Sequence, residues 1–258
     1  MEQSTQKHDL SASLQESGLS PEIHHVPDSG PEVDEIRSLY QWRTELSQTI
    51  WDPLLPYTLM SYREKWGALA TWIKWSALQP VGEKRILEIG CGLGEDLLYL
   101  VAIGFSPENI FANELVENRA LQLRRRLPAS SKIIRGDASQ IDFGEGQFDV
   151  VYQSLVFSSI LNEAFQRKLA NRMWSMVKSG GGVLWYDFIY NNKKNPHVRG
   201  IPVEAIRDLF PEGRMKVWRL TLAPPIGRFV TRFWPGFYTV FRMIPLLRTH
   251  VLCWIQKT

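Results

Sequence analysis

The sequence predicts an open, doubly wound α/β sheet. Short apolar runs alternate with amphipathic helical segments between residues 85 and 188. Strands that are separated by helices of about ten residues or more pair in parallel, with helices on both faces of the sheet. The 258 residues are 44% hydrophobic and 22% charged, which is the composition of an ordinary globular protein rather than a disordered or fibrous one.

A tail and two helices are predicted before the sheet. Residues 1–30 are rich in Ser, Glu, Gln and His and have little apolar surface to bury, so we expect an acidic disordered tail. Residues 32–48 carry apolar side chains at helical spacing, and a second helix is predicted from Ser61 to Leu78. Residues 31–80, which contain these two helices, are expected to form an N-terminal helical cover.

Seven strands are predicted after the cover. The first five are expected at Arg85–Gly90, Asn109–Glu114, Lys132–Arg135, Phe148–Gln153 and Gly181–Phe188. Helices are expected between them at Glu95–Ile103, Val116–Leu127 and Glu163–Val177. The last two strands, Met215–Ala223 and Thr249–Gln256, flank a segment rich in arginine and aromatic residues. Residues 31–258 are therefore predicted to be a single domain, with a binding core over 83–190 and an acceptor side over 191–258.

Cysteine content and hydropathy exclude several classes of protein. Cys91 and Cys253 are too few for a disulfide framework or a cysteine zinc site, and the five histidines do not cluster at metal-ligand spacing. There is no run of 18 uncharged apolar residues, and the first 30 residues are acidic and polar. We therefore expect no metal, no membrane-spanning helix, no secretory signal and a cytoplasmic location.

The first predicted strand ends in a glycine-rich turn. Gly90, Gly92 and Gly94 follow Glu88 at alternate positions and precede a helix. Glycines at such a place allow a tight turn and a close approach of the backbone to a ligand, and the helix N-terminus offers free N–H groups. A purely structural turn is the plainer alternative, although one glycine would satisfy it. The other alternative is a dinucleotide-binding fingerprint. Its sixth position is occupied by Glu95 in this sequence, and the negative charge of Glu95 would repel a pyrophosphate.

Five motifs in order resemble those of class I S-adenosylmethionine-dependent methyltransferases. They are Glu88-x-Gly90-x-Gly92-x-Gly94, Glu114 at the end of the second strand, Gly136-Asp137-Ala138 after the third, Gln153-Ser154 after the fourth, and Val177–Leu184 leading into the fifth. The resemblance implies a Rossmann-like sheet of seven strands, mostly parallel with the last strand antiparallel. It also implies S-adenosyl-L-methionine as the cofactor.

The resemblance further implies roles for single residues. Glu114 is expected to accept hydrogen bonds from the ribose hydroxyls, Asp137 to accept one from the adenine amino group, and Gln153 to lie near the sulfonium. Arg63, on the second predicted helix, is expected to pair with the methionine carboxylate. The implied cofactor-binding residues are Glu88, Gly90, Gly92, Gly94, Glu114, Asp137, Ala138, Gln153 and Arg63.

A narrower resemblance points to an acceptor. The segments Gln153–Ile160, Leu184–Asp187, Asn191–Asn192, Asn195–Pro196, Val198–Gly200, Leu220–Pro225 and Leu247–His250 are similar to a bacterial, type 11-like branch of these enzymes. That branch is often linked with polysaccharide or cell-envelope biosynthesis, which implies a small-molecule or glycan-like acceptor methylated at oxygen. A non-catalytic cofactor-binding partner subunit and a nucleic-acid methyltransferase are the alternatives. The Asn/Asp-Pro-Pro-Tyr/Phe element of many nucleic-acid enzymes is absent after the fourth predicted strand.

Two side chains are candidates for a general base, because an oxygen acceptor must lose its proton. Asp187 ends the fifth predicted strand, and His197 follows in the polar loop 191–200. The plainer alternatives are that Asp187 is a buried carboxylate bonded to backbone N–H groups and that His197 is an inert loop residue. The loop is either simply solvated or binds a polar acceptor such as a sugar.

Charge is unevenly distributed along the chain. Residues 1–35 hold eight acids and one base, whereas residues 213–258 hold eight bases and no acid. Within the basic part, residues 224–248 combine arginines, prolines and aromatic side chains. Three interpretations stay open for this segment: a lid on the acceptor pocket, a peripheral contact with the inner membrane surface, and a site for single-stranded nucleic acid.

Overall fold

The computed structural model describes residues 23–46, 52–191 and 195–258. Its strands are β1 (Ile23–His25), β2 (Ile86–Ile89), β3 (Ile110–Glu114), β4 (Lys132–Arg135), β5 (Phe148–Ser154), β6 (Val177–Phe188), β7 (Arg214–Leu222) and β8 (Arg248–Gln256). Its α-helices are α1 (Pro31–Leu46), α2 (Pro56–Trp75), α3 (Glu95–Ala102), α4 (Glu117–Arg126), α5 (Glu163–Met176), α6 (Val203–Leu209), α7 (Pro224–Thr231) and α8 (Phe237–Phe241). No helix in these ranges is both long enough and apolar enough to cross a bilayer.

The strands form one sheet in the order β1-β4-β3-β2-β5-β6-β8-β7. All pairings from β1 to β6 are parallel, and β8 is antiparallel to both β6 and β7. Helices intervene between the parallel strands, as such crossovers require. The predicted fold class, a mostly parallel doubly wound sheet whose last strand is antiparallel, is confirmed.

Strand β1 was not predicted. Its three residues lie within the segment expected to be a disordered tail, and they pair in parallel with β4, with Ile23 opposite Ile133. The N–H of Val26 continues the pairing by donating to the carbonyl of Arg135 at 2.8 Å. The expectation of disorder is therefore wrong for residues 23–25, because β4 offers an edge that a short polar segment can join. Residues 1–22 lie outside the described residues.

Two element boundaries differ from the predictions for identifiable reasons. Helix α2 begins at Pro56, five residues before the predicted start, because proline is tolerated in the first turn of a helix. Strand β6 begins at Val177 instead of Gly181, and its pairing with β5 is irregular between Phe148 and Val150. The glycines at the start of β6 are thus part of the strand.

Two apolar layers enclose the sheet. On one face Val183 and Trp185 of β6 pack with residues of α5 and α6. On the other face Leu184 and Tyr186 pack with residues of α2, α3 and α4. Neighbouring residues of one strand face opposite layers, so strand position fixes the layer that each side chain enters.

The carboxyl ends of the parallel strands meet at one edge of the sheet. Ser154, at the end of β5, lies opposite Tyr186 of β6, and Leu222, at the end of β7, lies opposite Arg248 at the start of β8. Ligands of open α/β sheets bind at this edge. The candidate site is therefore built from the ends of β2 to β7 and from the turns that follow them.

Candidate active site

The glycine turn joins β2 to α3 at the carboxyl edge. Gly90, Gly92 and Gly94 all have left-handed backbones, with φ of 62°, 62° and 78°. A β-carbon on Gly90 would lie 2.6 Å from Cγ2 of Val156, and one on Gly92 would lie 2.5 Å from Nη2 of Arg119. The left-handed backbone favours glycine at all three positions, and Val156 leaves no room for a β-carbon at Gly90.

Glu114 connects the end of β3 to the glycine turn. The backbone N–H of Gly92 donates to its Oε2 at 2.9 Å, and that of Val116 donates to its Oε1 at 2.8 Å. Burial raises the pKa of Glu114, while Arg119, 3.9 Å from Oε2, and the backbone N–H groups oppose that rise. The structure thus brings two predicted site residues, Glu114 and Gly92, into direct contact.

Asp137 lies beside this pair at the end of β4. The preceding Gly136 donates its N–H to the carbonyl of Glu114 at 3.1 Å. Ser139 bonds both Asp137 oxygens, through its N–H at 2.8 Å and its hydroxyl at 2.7 Å, and the Ser29 hydroxyl also donates to Oδ2. Ala138 is buried in the core next to it. The acids of the second and third predicted strands therefore lie side by side.

Glu88 is the buried acid within β2. Its side chain is 2% exposed, and its Oε2 has no hydrogen-bond partner within the described part of the chain. Burial and the neighbouring Asp96 raise its pKa well above the ordinary value. A buried acceptor without a partner fits a ligand that brings a hydrogen-bond donor.

A buried ion pair lies at the first turn of α3, and the sequence analysis missed it. Lys65 of α2 places Nζ 2.7 Å from Oδ2 of Asp96, and both side chains are less than 10% exposed. The hydroxyl of Tyr152 donates to the same oxygen at 2.8 Å, and Nε1 of Trp66 donates to Oδ1 at 3.1 Å. Burial lowers the pKa of Lys65, but the Asp96 carboxylate reverses this, so the pKa is raised. Lys65 is therefore charged.

Arg63 does not occupy the position expected for the cation. It is exposed on α2, whereas Lys65 faces inward. Leu69 and Trp72, four and seven residues after Lys65, are fully buried on the same face of the helix. This helical spacing was the available signal for Lys65, and the pairing of Arg63 with a methionine carboxylate stays a prediction.

Gln153 is fully buried at the end of β5. Its Oε1 accepts the N–H of Val156 at 3.0 Å, and its Nε2 donates to the carbonyl of Tyr186 at 3.4 Å. These bonds hold the turn after β5, in which Leu155 has a φ of 62°. The expected place of Gln153 near a sulfonium stays a prediction.

Asp187 is fully buried on the sheet face that carries α5 and α6. Its Oδ2 accepts the N–H of Ser158 at 3.1 Å, and its Oδ1 accepts that of Phe188 at 2.9 Å. Burial raises its pKa to about 7, although the bonds to Ser158 and Phe188 lower it in part. This is the geometry of a carboxylate bonded to backbone N–H groups, and its role as a base stays a prediction.

His197 is exposed in the loop before α6. With Ser159 and residues of α1, including Ile36 and Leu39, it lines a hollow of about 80 Å³. Its catalytic role also stays a prediction. Within the described ranges, no three His, Cys, Asp or Glu side chains are grouped as metal ligands.

A second polar group, which we call the Glu64 network, lies at the ends of β6 and β7, and all of its members except Arg242 have buried side chains. It consists of Glu64, Tyr186, Thr221, Tyr238 and Arg242. Oε2 of Glu64 accepts the hydroxyl of Tyr238 at 2.6 Å and the N–H of Thr221 at 3.1 Å, and Arg242 lies 3.1 Å from Oε1. The hydroxyls of Tyr186 and Thr221 are 2.7 Å apart. Thr221 has a φ of 59°, a strained value that is typical of functional sites. Two of its members, Tyr186 and Thr221, lie in the segments Leu184–Asp187 and Leu220–Pro225 of the narrower resemblance, but the sequence analysis did not single them out.

The network adjoins the buried ion pair. Nζ of Lys65 lies 5.1 Å from the centroid of the Tyr186 ring. The imidazole of His250 also stacks on the Tyr186 ring, with 5.3 Å between the two centroids. Burial and the charge of Lys65 lower the pKa of His250 to about 3. The imidazole is therefore neutral, and polar groups extend from the glycine turn to β8.

The comparisons agree with this geometry. Residues 86–181 match a family model described as "Methyltransferase domain". No curated protein matches the sequence. The matched segment contains the glycine turn, Glu114 and Asp137, so the family match and the candidate site coincide.

Solved structures share the fold at low sequence identity. Burkholderia thailandensis 1,6-didemethyltoxoflavin-N1-methyltransferase, solved with 1,6-didemethyltoxoflavin and S-adenosylhomocysteine, is 15% identical with a TM-score of 0.61, over 90% of this chain and 92% of that chain. Synechocystis PCC 6803 magnesium protoporphyrin IX methyltransferase, solved with S-adenosylmethionine, is 11% identical with a TM-score of 0.59, over 90% and 100%. Haemonchus contortus phosphoethanolamine N-methyltransferase 2, also solved with S-adenosylmethionine, is 16% identical with a TM-score of 0.56, over 86% and 60%.

These similarities show the fold, and the family match shows the domain. The sheet order is that of the class I methyltransferase fold. Residues 86–181 match the methyltransferase domain, and this segment holds the glycine turn, Glu114 and Asp137.

Proposed function

We propose that this chain is a methyltransferase that uses S-adenosylmethionine and acts on an oxygen atom of a small-molecule or glycan-like acceptor. The observation that carries the proposal is the Glu64 network, which places hydroxyl, carboxylate and guanidinium groups at the carboxyl edge beside Lys65. Sites for polar ligands are built from a few such convergent groups. The hydroxyl groups of a polyhydroxylated substrate can both donate and accept hydrogen bonds. They would replace the hydrogen bonds that the side chains of the network make with one another.

The residues around the glycine turn fit the cofactor. S-adenosylmethionine supplies a methyl group on a sulfonium, activated for in-line displacement. We assign the glycine turn to its amino-acid end, where the unpartnered Oε2 of Glu88 accepts a hydrogen bond from the ammonium group. An ionised carboxylate offers about four lone-pair positions. Glu114 and Asp137 therefore keep free lone pairs for the ribose hydroxyls and the adenine amino group, with Ala138 beside the adenine.

Lys65 takes the role that was expected of Arg63. Its ammonium group lies 2.7 Å from Asp96 and 3.5 Å from the Ser154 hydroxyl, between the glycine turn and the end of β5. A fixed positive charge there orients a carboxylate at the amino-acid end of the cofactor. Gln153, which holds the turn after β5, positions the backbone where cofactor and acceptor meet.

Two bases remain proposed for removing the acceptor's proton. A pKa of about 7 suits Asp187 to this task near neutral pH. His197 is exposed and has direct access to the medium. Asp187→Asn should lower turnover much more than cofactor affinity, and His197→Gln is the parallel variant. Full activity of either variant removes that residue from the role.

An acceptor screen tests the function. The full chain is incubated with methyl-labelled S-adenosylmethionine and, separately, with nucleotide sugars, envelope oligosaccharides, amines and RNA. Mass spectrometry and NMR of the product identify the methylated atom. O-methylation of a sugar or a small hydroxylated compound supports the proposal, whereas a product methylated only at nitrogen or only on RNA contradicts it.

A conservative variant tests the Glu64 network. Tyr238→Phe removes the hydroxyl that donates to Glu64, and it should raise the KM for the acceptor without changing the affinity for S-adenosylmethionine. Tyr190→Phe is the matched control, because Tyr190 is 47% exposed and accepts a hydrogen bond only from Arg219 among the bonds described. Equal KM values for the two variants would place the acceptor elsewhere.

A further inference from the structure

We propose that the segment containing α7 and α8, residues 224–247, docks on the surface of an anionic lipid bilayer. This inference concerns a surface separate from the glycine turn, and it does not depend on which acceptor is methylated. It develops one of the three interpretations that the sequence leaves open for the basic segment, while Tyr238 and Arg242 of the same segment belong to the Glu64 network.

The inner face of the segment is anchored to the fold. Val230 and Tyr238 are buried in a small cluster with Tyr57 of α2 and Leu222 of β7. A β-carbon on Gly227 would lie 2.3 Å from the Tyr57 ring, whose hydroxyl donates to the carbonyl of Leu222 at 3.2 Å. The segment is therefore packed closely on α2 and β7, and this packing fixes which of its side chains face outward.

The outer face of the segment is apolar. Its most exposed apolar residues, with their exposed fractions, are Phe229 (65%), Phe233 (69%), Trp234 (58%), Val240 (55%), Met243 (72%), Ile244 (47%) and Leu246 (81%). Phe229 and Phe233 are four residues apart, and their rings are 5.3 Å apart between centroids. Single exposed apolar side chains are common, but a cluster of this size within 18 residues is typical of an interaction surface.

Positive charge accompanies the apolar face. Arg232 is exposed, and so is Arg228, whose guanidinium carbon lies 5.7 Å from the centroid of the Tyr57 ring. No acidic residue occurs anywhere from 213 to 258. Aromatic and aliphatic side chains that enter the interface, next to arginines that meet anionic headgroups, are the features of segments that lie on a membrane.

Other occupants fit this surface less well. A symmetric contact with a second copy would bring the same arginines of both copies together. Single-stranded nucleic acid stacks its bases on aromatic rings, whereas Val240, Met243, Ile244 and Leu246 are not aromatic. A bilayer accepts both kinds of apolar side chain and is attracted by the charge.

Vesicle binding of the full chain tests the proposal. The protein is sedimented with vesicles of phosphatidylcholine alone and with vesicles that also contain phosphatidylglycerol. We expect binding to the anionic vesicles that weakens as salt is added, and far weaker binding to the neutral ones. The variant Phe229→Ser/Arg232→Gln should bind the anionic vesicles at least about tenfold more weakly, because it removes one interfacial ring and one charge.

A matched variant controls for general effects of the substitutions. Leu121→Ser/Arg125→Gln removes an exposed leucine, 51% exposed, and an exposed arginine from α4, and it should bind vesicles as the wild type does. Far-UV circular dichroism and S-adenosylmethionine affinity report the folding of both variants. Absence of vesicle binding, equal loss in both variants, or binding of single-stranded RNA without binding of vesicles would each overturn the proposal.

Discussion

Lys65 of α2 and Asp96 of α3 form an ion pair, 2.7 Å between Nζ and Oδ2, that is nearly closed to solvent. Trp66 and Tyr152 donate hydrogen bonds to the same carboxylate. The pair thereby joins the N-terminal helical cover to the helix that begins at the glycine turn. Four predictions follow from this and related contacts.

Removal of the Asp96 charge should destabilise the fold strongly. Asp96→Asn leaves the buried ammonium group of Lys65 without its counter-charge, and breaking a buried pair costs about 3–5 kcal/mol. Urea unfolding measures the loss. The control is Glu95→Gln, which breaks the more exposed pair between Glu95 and Arg126 and should cost about 1 kcal/mol or less. Similar losses of unfolding free energy in Asp96→Asn and Glu95→Gln would mean that the ammonium group of Lys65 reaches solvent when its counter-charge is removed.

Loss of the Glu114 carboxylate should weaken cofactor binding. Glu114→Ala should reduce the affinity for S-adenosylmethionine by about 1.5–3 kcal/mol, the scale of hydrogen bonds to a charged group. Calorimetric titration measures the change. Glu117→Ala is the control, because that carboxylate is exposed and pairs with Arg135. Unchanged affinity of Glu114→Ala would remove Glu114 from the cofactor site.

A comparison of Gly92→Ala with Gly144→Ala distinguishes the effect of backbone strain from the effect of a position next to the candidate site. Both have left-handed backbones, but a β-carbon on Gly144 meets nothing within 4 Å, whereas one on Gly92 meets Arg119. Alanine at either position should cost about 1–2 kcal/mol of folding stability. Only Gly92→Ala should also weaken S-adenosylmethionine binding, by calorimetry. Normal binding by the folded Gly92→Ala variant would contradict the proposed cofactor position.

Asp187 should make folding stability depend on pH. Burial raises its pKa from 3.8 to about 7, so between these values the folded chain holds a proton that the unfolded chain has lost. This contribution to stability is complete below pH 4 or so and is lost as the pH rises to about 7. The unfolding free energy of the wild type relative to Asp187→Asn should therefore fall by about 4 kcal/mol over that range.

Urea unfolding at several pH values from about pH 4 to about pH 8 measures this difference. Asp208→Asn is the control, since Asp208 is exposed on α6 and no comparable slope is expected. A difference between wild type and Asp187→Asn that does not change with pH would show that Asp187 titrates near its ordinary pKa.

The sheet was predictable because its signals are local. Strands β2, β3, β4 and β6 are apolar runs that end near glycine or an acid, and the helices α3, α4 and α5 repeat their apolar residues at helical spacing. Strand β1 was not predictable in this way. Its hydrogen bonds come from β4, more than a hundred residues later, and Ile23-His24-His25 has no pattern of its own.

The candidate site was predictable where the backbone itself is constrained. The glycine-rich turn was predicted from the spacing of Gly90, Gly92 and Gly94 after an apolar strand, and Glu114 and Asp137 from the resemblance to class I methyltransferases. Lys65 and the Glu64 network were not found, because they come together only when α2 packs against β6 and β7. Such contacts depend on tertiary packing, which the sequence motifs around Tyr186 and Thr221 do not specify.

The two outer strands leave the sheet protected in different ways. At one end β7 carries Arg214, Lys216 and Arg219, all exposed, and charged side chains discourage another strand from adding to an edge. At the other end β1 covers β4, whose Ile133 and Ile134 are fully buried. A chain shortened past Val26 would expose the hydrogen-bonding groups of this apolar strand, and self-association through β4 would follow. The three-residue strand therefore completes the sheet by pairing the edge of β4.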